Sequence, residues 1–171
     1  MKKVMIVDDN TLSAEGIVRN IDWELLDAEV VHVENNGDSA IESMRRVPVD
    51  LIISDIEMPN LDGISMSSLA LSVNPLVKII LISAYDKFEY AKRAIRLGVC
   101  DYIEKPLDYS YLTEKIRNAF SAIDREQRNR ELVEQSRPLM TEKFFSHLRR
   151  ASWNFSKPCA PAVHCTVRRH S

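Results

Sequence analysis

Five short apolar runs at regular intervals constrain this chain more than any other feature. They are KVMIV at 3–7, EVVHV at 29–33, DLIIS at 50–54, KIILIS at 78–83 and CDYIE at 100–104. Their apolar character is continuous rather than alternating, which predicts strands buried on both faces, as in a parallel sheet. The segments between them have helical spacing. Leu12, Ile17, Val18 and Ile21 are expected on one helix face, and Ala40, Ile41 and Met44 on a second. Phe88, Ala91, Ala94, Ile95 and Leu97 are expected on a third, with Gly98 as its stop. The alternation of strand and helix, under the crossover rules, predicts an α/β fold with five parallel strands in a doubly wound sheet and helices on both faces.

From Asp108 the pattern becomes one long helix. Leu112, Ile116, Ala119 and Ile123 form its apolar stripe, and its first half is expected to pack on the sheet. Residues 124–150 read as a helical extension, strongly charged, with a heptad too broken for a coiled coil. Pro138 is expected to break or restart it, before a short amphipathic piece, LMTEKFFSHL. Residues 151–171 have no clear period and no acids, and read as a disordered or non-native tail. Cys159, His164 and Cys165 in that tail are too few and wrongly spaced for a zinc site.

Charge is distributed unevenly. Residues 1–110 hold 11 Lys and Arg against 19 Asp and Glu, a net of −8, whereas residues 111–171 hold 12 against 6, a net of +6. An acidic body is a poor binder of nucleic acid. Three cysteines make no disulfide framework, and no apolar stretch approaches the length of a membrane span, so a cytoplasmic location is expected.

In an open α/β sheet, ligands bind beyond the carboxyl ends of the strands. The residues there are Asp8 and Asp9 after the first run, Asp55 after the third, Ser83 and Ala84 at the fourth, and Lys105 and Pro106 after the fifth. Singly, a strand-end Asp is usually a helix cap, and Asp8, Asp9 or Asn10 each suits that role. Jointly, three carboxylates, a hydroxyl and an ammonium on one rim make a chemical unit. Close carboxylates stay ionised together only around a cation, and hard oxygen donors favour Mg²⁺. A carboxylate beside the metal can attack phosphorus to give an acyl phosphate, while Lys105 and Ser83 stabilise the phosphoryl oxygens.

Four segments, VDD at 7–9, SDIEMPNLDG at 54–63, ISAY at 82–85 and DYIEKP at 101–106, closely resemble response regulator receiver domains of two-component signalling. The resemblance covers about residues 1–123. It implies a flavodoxin-like strand order 2-1-3-4-5, with Asp55 as phosphoacceptor and Lys105 and Ser83 as phosphoryl-binding groups. Asp8, Asp9, Asp55 and the main-chain carbonyl of Glu57 would be the metal ligands. It further implies a cis Lys105–Pro106 bond, and a Tyr102 that changes rotamer as Ser83 moves. A sensor histidine kinase is the implied phosphodonor. A homodimer would form through the fourth helix, fifth strand and fifth helix, around residues 86–97, 101–104 and 108–123. Tyr85, Asp86 and Lys87 would tune the lifetime of the phosphoryl group, or simply begin a helix.

More narrowly, NIDWELLDAEVVHVENNGDSAIE and SAYDKFEYAKRAIRLGVCDYIEKPLD resemble receivers fused to AraC-type helix-turn-helix domains. The expectation is the amino-terminal part of a transcription regulator, contacting DNA only through a carboxyl-terminal domain missing from this chain. A stand-alone phosphorelay or dimerisation module is the alternative. A hydrolase of the aspartyl-phosphate type fits less well, because its Asp-x-Asp opening does not follow the first strand. No Gly-rich loop follows any strand, which argues against a dinucleotide site.

Overall fold

The computed structural model describes the backbone of residues 1–84 and 88–152, and their side chains as far as residue 134 except at 88, 89 and 91. The expectations for residues 85–87 and for the tail from residue 153, including Cys159, His164 and Cys165, lie outside the described residues.

The strands are β1 (Lys2–Val7), β2 (Ala28–Glu34), β3 (Leu51–Asp55), β4 (Lys78–Ser83) and β5 (Asp101–Glu104). The helices are α1 (Thr11–Asn20), α2 (Gly37–Arg46), α3 (Gly63–Val73), α4 (Phe88–Leu97) and α5 (Tyr109–Ser152). All four strand pairings are parallel, in the order β2-β1-β3-β4-β5. This is the flavodoxin-like, doubly wound topology.

Strand alternation divides the core in two. Val4, Ile6, Leu51, Ile53, Ile80 and Ile82 point to one face, against Ala14 and Ile17 of α1 and Leu112, Ile116 and Ala119 of α5. Met5, Val7, Ile52, Ile79 and Leu81 point to the other, against side chains of α2, α3 and α4. Both faces are therefore covered, as the continuous apolar runs require. Each fully buried Ile or Leu contributes about 1.5–3 kcal/mol of transfer free energy.

Several helix faces differ from the sequence reading. Leu12 is 80% exposed, and Ala14 takes its place in the core. Five residues at 100° each put Leu12 about 140° away from Ile17, so the two cannot share a stripe. Ile95 is also exposed, while Ala94 on the same helix is fully buried. The expected break at Pro138 does not occur, because the backbone stays helical from Tyr109 to Ser152. A proline removes one intrahelical hydrogen bond, and a helix can continue when its flanking turns keep theirs. Gly98 follows α4 with φ +77°, the left-handed conformation that ends a helix without a Cβ penalty.

The chain divides into two compact units, Met1–Gln127 and Arg128–Ser171. In the first, Lys2 Nζ pairs with Asp124 at 2.7 Å and Lys78 Nζ with Glu126 at 2.5 Å. These contacts hold the start of the charged segment to the amino-terminal ends of β1 and β4. In the second, the described part is the helical backbone as far as Ser152, with side chains to residue 134. Among the described residues, no helix is long and apolar enough to cross a membrane.

Candidate functional site

Because the strands are parallel and in register, their carboxyl ends meet at one rim. Val7 pairs with Ser54, so Asp8 and Asp55 are each one residue further along neighbouring strands. Asp55 is level with Ile82, and Ser83 with Glu104, so Lys105 follows directly after Ser83's partner. The order of winding thus converts four separated segments into one cluster.

Carboxylate oxygens of Asp8, Asp9 and Asp55 lie within 4.8 Å of one another. At an effective dielectric of about 20, each such pair repels by about 3 kcal/mol, and by less where Asp9 faces solvent. Asp8 and Asp55 are only 2% and 6% exposed. Among the described residues Lys105 is the cation that bridges them, with Nζ 3.3 Å from Asp8 Oδ2 and 3.1 Å from Asp55 Oδ1. Asp8 Oδ1 also accepts from the Asn10 main-chain N–H at 2.8 Å. Among the described residues Asp55 Oδ1 has no well-directed hydrogen bond, and its contact with Lys105 is ionic.

These surroundings act on protonation. Burial pushes the Asp55 carboxyl above its usual range and Asp8 adds to the rise, while Lys105 opposes it. Burial works against the Lys105 ammonium, but Asp55 and Asp8 outweigh it and raise the group above its usual value. A carboxylate that is buried, crowded by like charge and short of hydrogen bonds lacks positive charge. The donor set of three carboxylates, all hard oxygen ligands, suits a divalent cation of the Mg²⁺ or Ca²⁺ type.

The loop from 56 to 62 is folded tightly behind Asp55. The Ile56 carbonyl accepts from the N–H groups of both Met58 and Gly63, and the Ile56 N–H donates to the Ile82 carbonyl at 2.9 Å. Glu57, whose main-chain carbonyl was expected to complete the ligand set, lies in this loop directly after the cluster. Asp62 is the N-cap of α3, its Oδ1 accepting from the Ser65 N–H at 2.7 Å. The Asp-Gly pair therefore opens a helix. A Cβ on Gly63 would lie 2.2 Å from the Asp55 main-chain oxygen and 2.9 Å from Ile56 Cα. Sequence reasoning missed Gly63 as a site residue, and its only signal was its place beside Asp62 at the end of SDIEMPNLDG.

Ser83 is fully buried at the end of β4, and its carbonyl accepts from the Lys105 N–H at 2.8 Å. That bond ties the hydroxyl-bearing strand end to the lysine. The Lys105–Pro106 peptide is cis. Asn10 is the cap of α1, accepting from the Leu12 and Ser13 N–H groups. This leaves Asp8 and Asp9 for the cluster. Tyr102, on β5, packs half-buried with the core face that holds Leu81.

An open parallel sheet with an acidic cluster at its switch point defines a receiver-like α/β protein. Residues 4–117 match the family described as the response regulator receiver domain. The chain belongs to that family, and the acidic cluster centred on Asp55 is consistent with its phosphoaccepting active site. Among solved structures, the receiver domain of AraT, a response regulator from Geobacillus stearothermophilus, is 38% identical with a TM-score of 0.70. The alignment covers 74% of this chain and 98% of that one. A two-component transcriptional regulator AraC from Clostridium phytofermentans is 29% identical with the same TM-score and coverage. The transcriptional regulatory protein YesN of Bacillus subtilis is 29% identical over 126 residues, which are 74% of this chain and 34% of that protein. The chain thus spans about a third of that curated relative.

Proposed function

We propose that this chain is a phosphoacceptor switch in which Asp55 takes a phosphoryl group from the phosphohistidine of a sensor histidine kinase. An Asp55 carboxylate oxygen attacks phosphorus, the P–N bond breaks, and the imidazole leaves with the bonding pair and takes up a proton. The product is an acyl phosphate on Asp55. Slow attack by water returns the carboxylate and inorganic phosphate. The protein therefore promotes its own modification and does not turn over a substrate in the usual sense.

Asp8, Asp9, Asp55 and the Glu57 carbonyl are the residues assigned to hold Mg²⁺, whose bound form supplies positive charge to the phosphoryl oxygens. Lys105, already between Asp8 and Asp55, is assigned to the phosphoryl oxygens, and Ser83 to a hydrogen bond that forms when phosphate arrives. Ser83 and Tyr102 would then pass the change to α4, β5 and α5, the face assigned to homodimer formation. Moving such a switch from mostly off to mostly on needs about 5.5 kcal/mol of differential stabilisation. The receiver is assigned to residues 1–123, the helical extension to 124–150 and a tail to 151–171. Likeness to AraC-type regulators supports a place at the amino-terminal end of a DNA-binding transcription regulator in the cytoplasm.

The observation that carries the reading is a like-charged carboxylate cluster, with Asp8 and Asp55 buried and bridged by Lys105, at the carboxyl rim of the sheet. Incubation with phosphoramidate and Mg²⁺, followed by intact-mass spectrometry, tests it. Wild type should gain one phosphoryl group and Asp55→Asn none. Equal uptake by both proteins would remove Asp55 from the role.

A further inference from the structure

Among the described residues, helix α3 differs from every other helix. No Asp, Glu, Lys or Arg occurs from residue 63 to residue 77, whereas each of the other four helices carries both signs of charge. The helix is uncharged, and its only polar side chains are Ser65, Ser67, Ser68 and Ser72. Here Ile64, Met66 and Ala70 are buried, yet Leu69 is 46% and Val73 42% exposed. Asp62 and Lys78 close the neutral stretch on either side.

Beside this face, α3 and α4 enclose an open groove of about 530 Å³. Leu61, Ile64, Leu69 and Leu97 supply its apolar lining, and Arg93 and Arg96 line it from α4. The arginines are three residues apart, so both guanidinium groups stand on one side of the helix. Both are exposed, and neither forms an ion pair among the described residues. On a body whose first 110 residues are acidic overall, this is a local basic rim around an apolar floor.

We propose that the α3–α4 groove docks an acidic amphipathic helix of a partner protein. Apolar side chains at i, i+3, i+4 and i+7 would fill the floor, and flanking carboxylates would pair with Arg93 and Arg96. A groove between two helices accepts a third by ridge-in-groove packing, and it is too open to enclose a small ligand. Within the unit Met1–Gln127 the described apolar stripes of α1, α2 and α5 are already spent on its own sheet, so these helices do not supply the occupant. This surface is separate from the phosphoacceptor cluster and does not depend on that assignment.

The test uses the full chain and a synthetic helical peptide with Leu at i, i+3, i+4 and i+7 and Glu at most other positions. A matched peptide carries Lys in place of Glu. Fluorescence anisotropy gives affinity, and amide chemical shifts give location. The Glu peptide should bind at least tenfold more tightly than the Lys peptide, with shifts concentrated in α3 and α4. The double variant Arg93→Glu/Arg96→Glu, and separately Leu69→Asp, should each weaken it at least tenfold while leaving circular dichroism and Asp55 phosphorylation unchanged. Equal binding of the two peptides, shifts elsewhere, or no binding would overturn the proposal. So would a dimer of this chain in sedimentation that Leu69→Asp dissolves, since Leu69 lies outside the face assigned to the homodimer and the groove would then belong to a second copy.

Discussion

The two rims of the sheet both gather charged side chains, and they handle them in opposite ways. At the amino-terminal rim, Lys2 and Lys78 meet Asp124 and Glu126, two cations against two anions, at separations of 2.7 and 2.5 Å. At the carboxyl-terminal rim, among the described residues, Asp8, Asp9 and Asp55 gather around one lysine, Lys105. The first arrangement is complete and partly solvated, so it holds a helix to a sheet. The second is short of positive charge and mostly dry, so it is poised to take up a cation or a modification that redistributes charge. Neutral balance marks attachment, and buried imbalance marks chemistry.

The largest effect expected from this difference is at Lys105. Replacing it with Met should slow phosphoryl uptake from phosphoramidate about a hundredfold, the scale set by losing one preorganised charge on a developing phosphoryl oxygen. Stopped quench assays would measure it. The same change at Lys78 should leave that rate untouched. If Lys78→Met slowed labelling as much, the contrast between rims would be broken.

Gly63→Ala comes next. Its Cβ meets main-chain atoms of Asp55 and Ile56, which cannot swing aside as a side chain would. Urea unfolding should show a loss of about 3 kcal/mol with an unchanged m value. Phosphoryl uptake should fall as well, because the backbone that must shift is Asp55's own.

A pH experiment sharpens the comparison. The Asp55 carboxyl is raised in the folded state above its ordinary 3.8. The folded protein therefore binds that proton more tightly than the unfolded chain, and stability falls as pH rises from 3.8 through the raised value. Without divalent cations, Asp55→Asn should melt higher than wild type at pH 7, and the gain should vanish as pH approaches 3.8. Adding Mg²⁺ should raise the melting temperature of wild type more than that of the variant.

The smallest effect belongs to the paired rim. Lys2→Met and Lys78→Met should each cost under about 1 kcal/mol, and less in high salt, as partly exposed ion pairs do. A loss of several kcal/mol at either would mean that this rim is more than an attachment.

Much of the fold was legible because parallel strands are buried on both faces and therefore read as unbroken apolar runs. The cluster was legible for a related reason, since parallel strands bring every carboxyl end to one edge. What escaped the sequence depended on geometry between distant or angularly offset residues. Lys2 and Asp124 are neighbours only after the last helix has crossed the sheet. Leu12 looks apolar and periodic until its angle is counted, whereupon Ala14 proves to be the core residue. Asp62-Gly63 reads as a turn because its composition suits a turn, while its main-chain hydrogen bonds make it the start of α3. The neutral stretch of α3 was visible in the sequence, but its meaning depended on Arg93 and Arg96 lining the groove beside it.

The most direct measurement is chemical trapping of the modified residue. After exposure to phosphoramidate, borohydride reduces an aspartyl phosphate to homoserine, and peptide mapping finds the position. Conversion at residue 55 alone, and only with a divalent cation present, is the predicted result. Homoserine at another position, or the same yield in chelator, would contradict the account of the acidic rim.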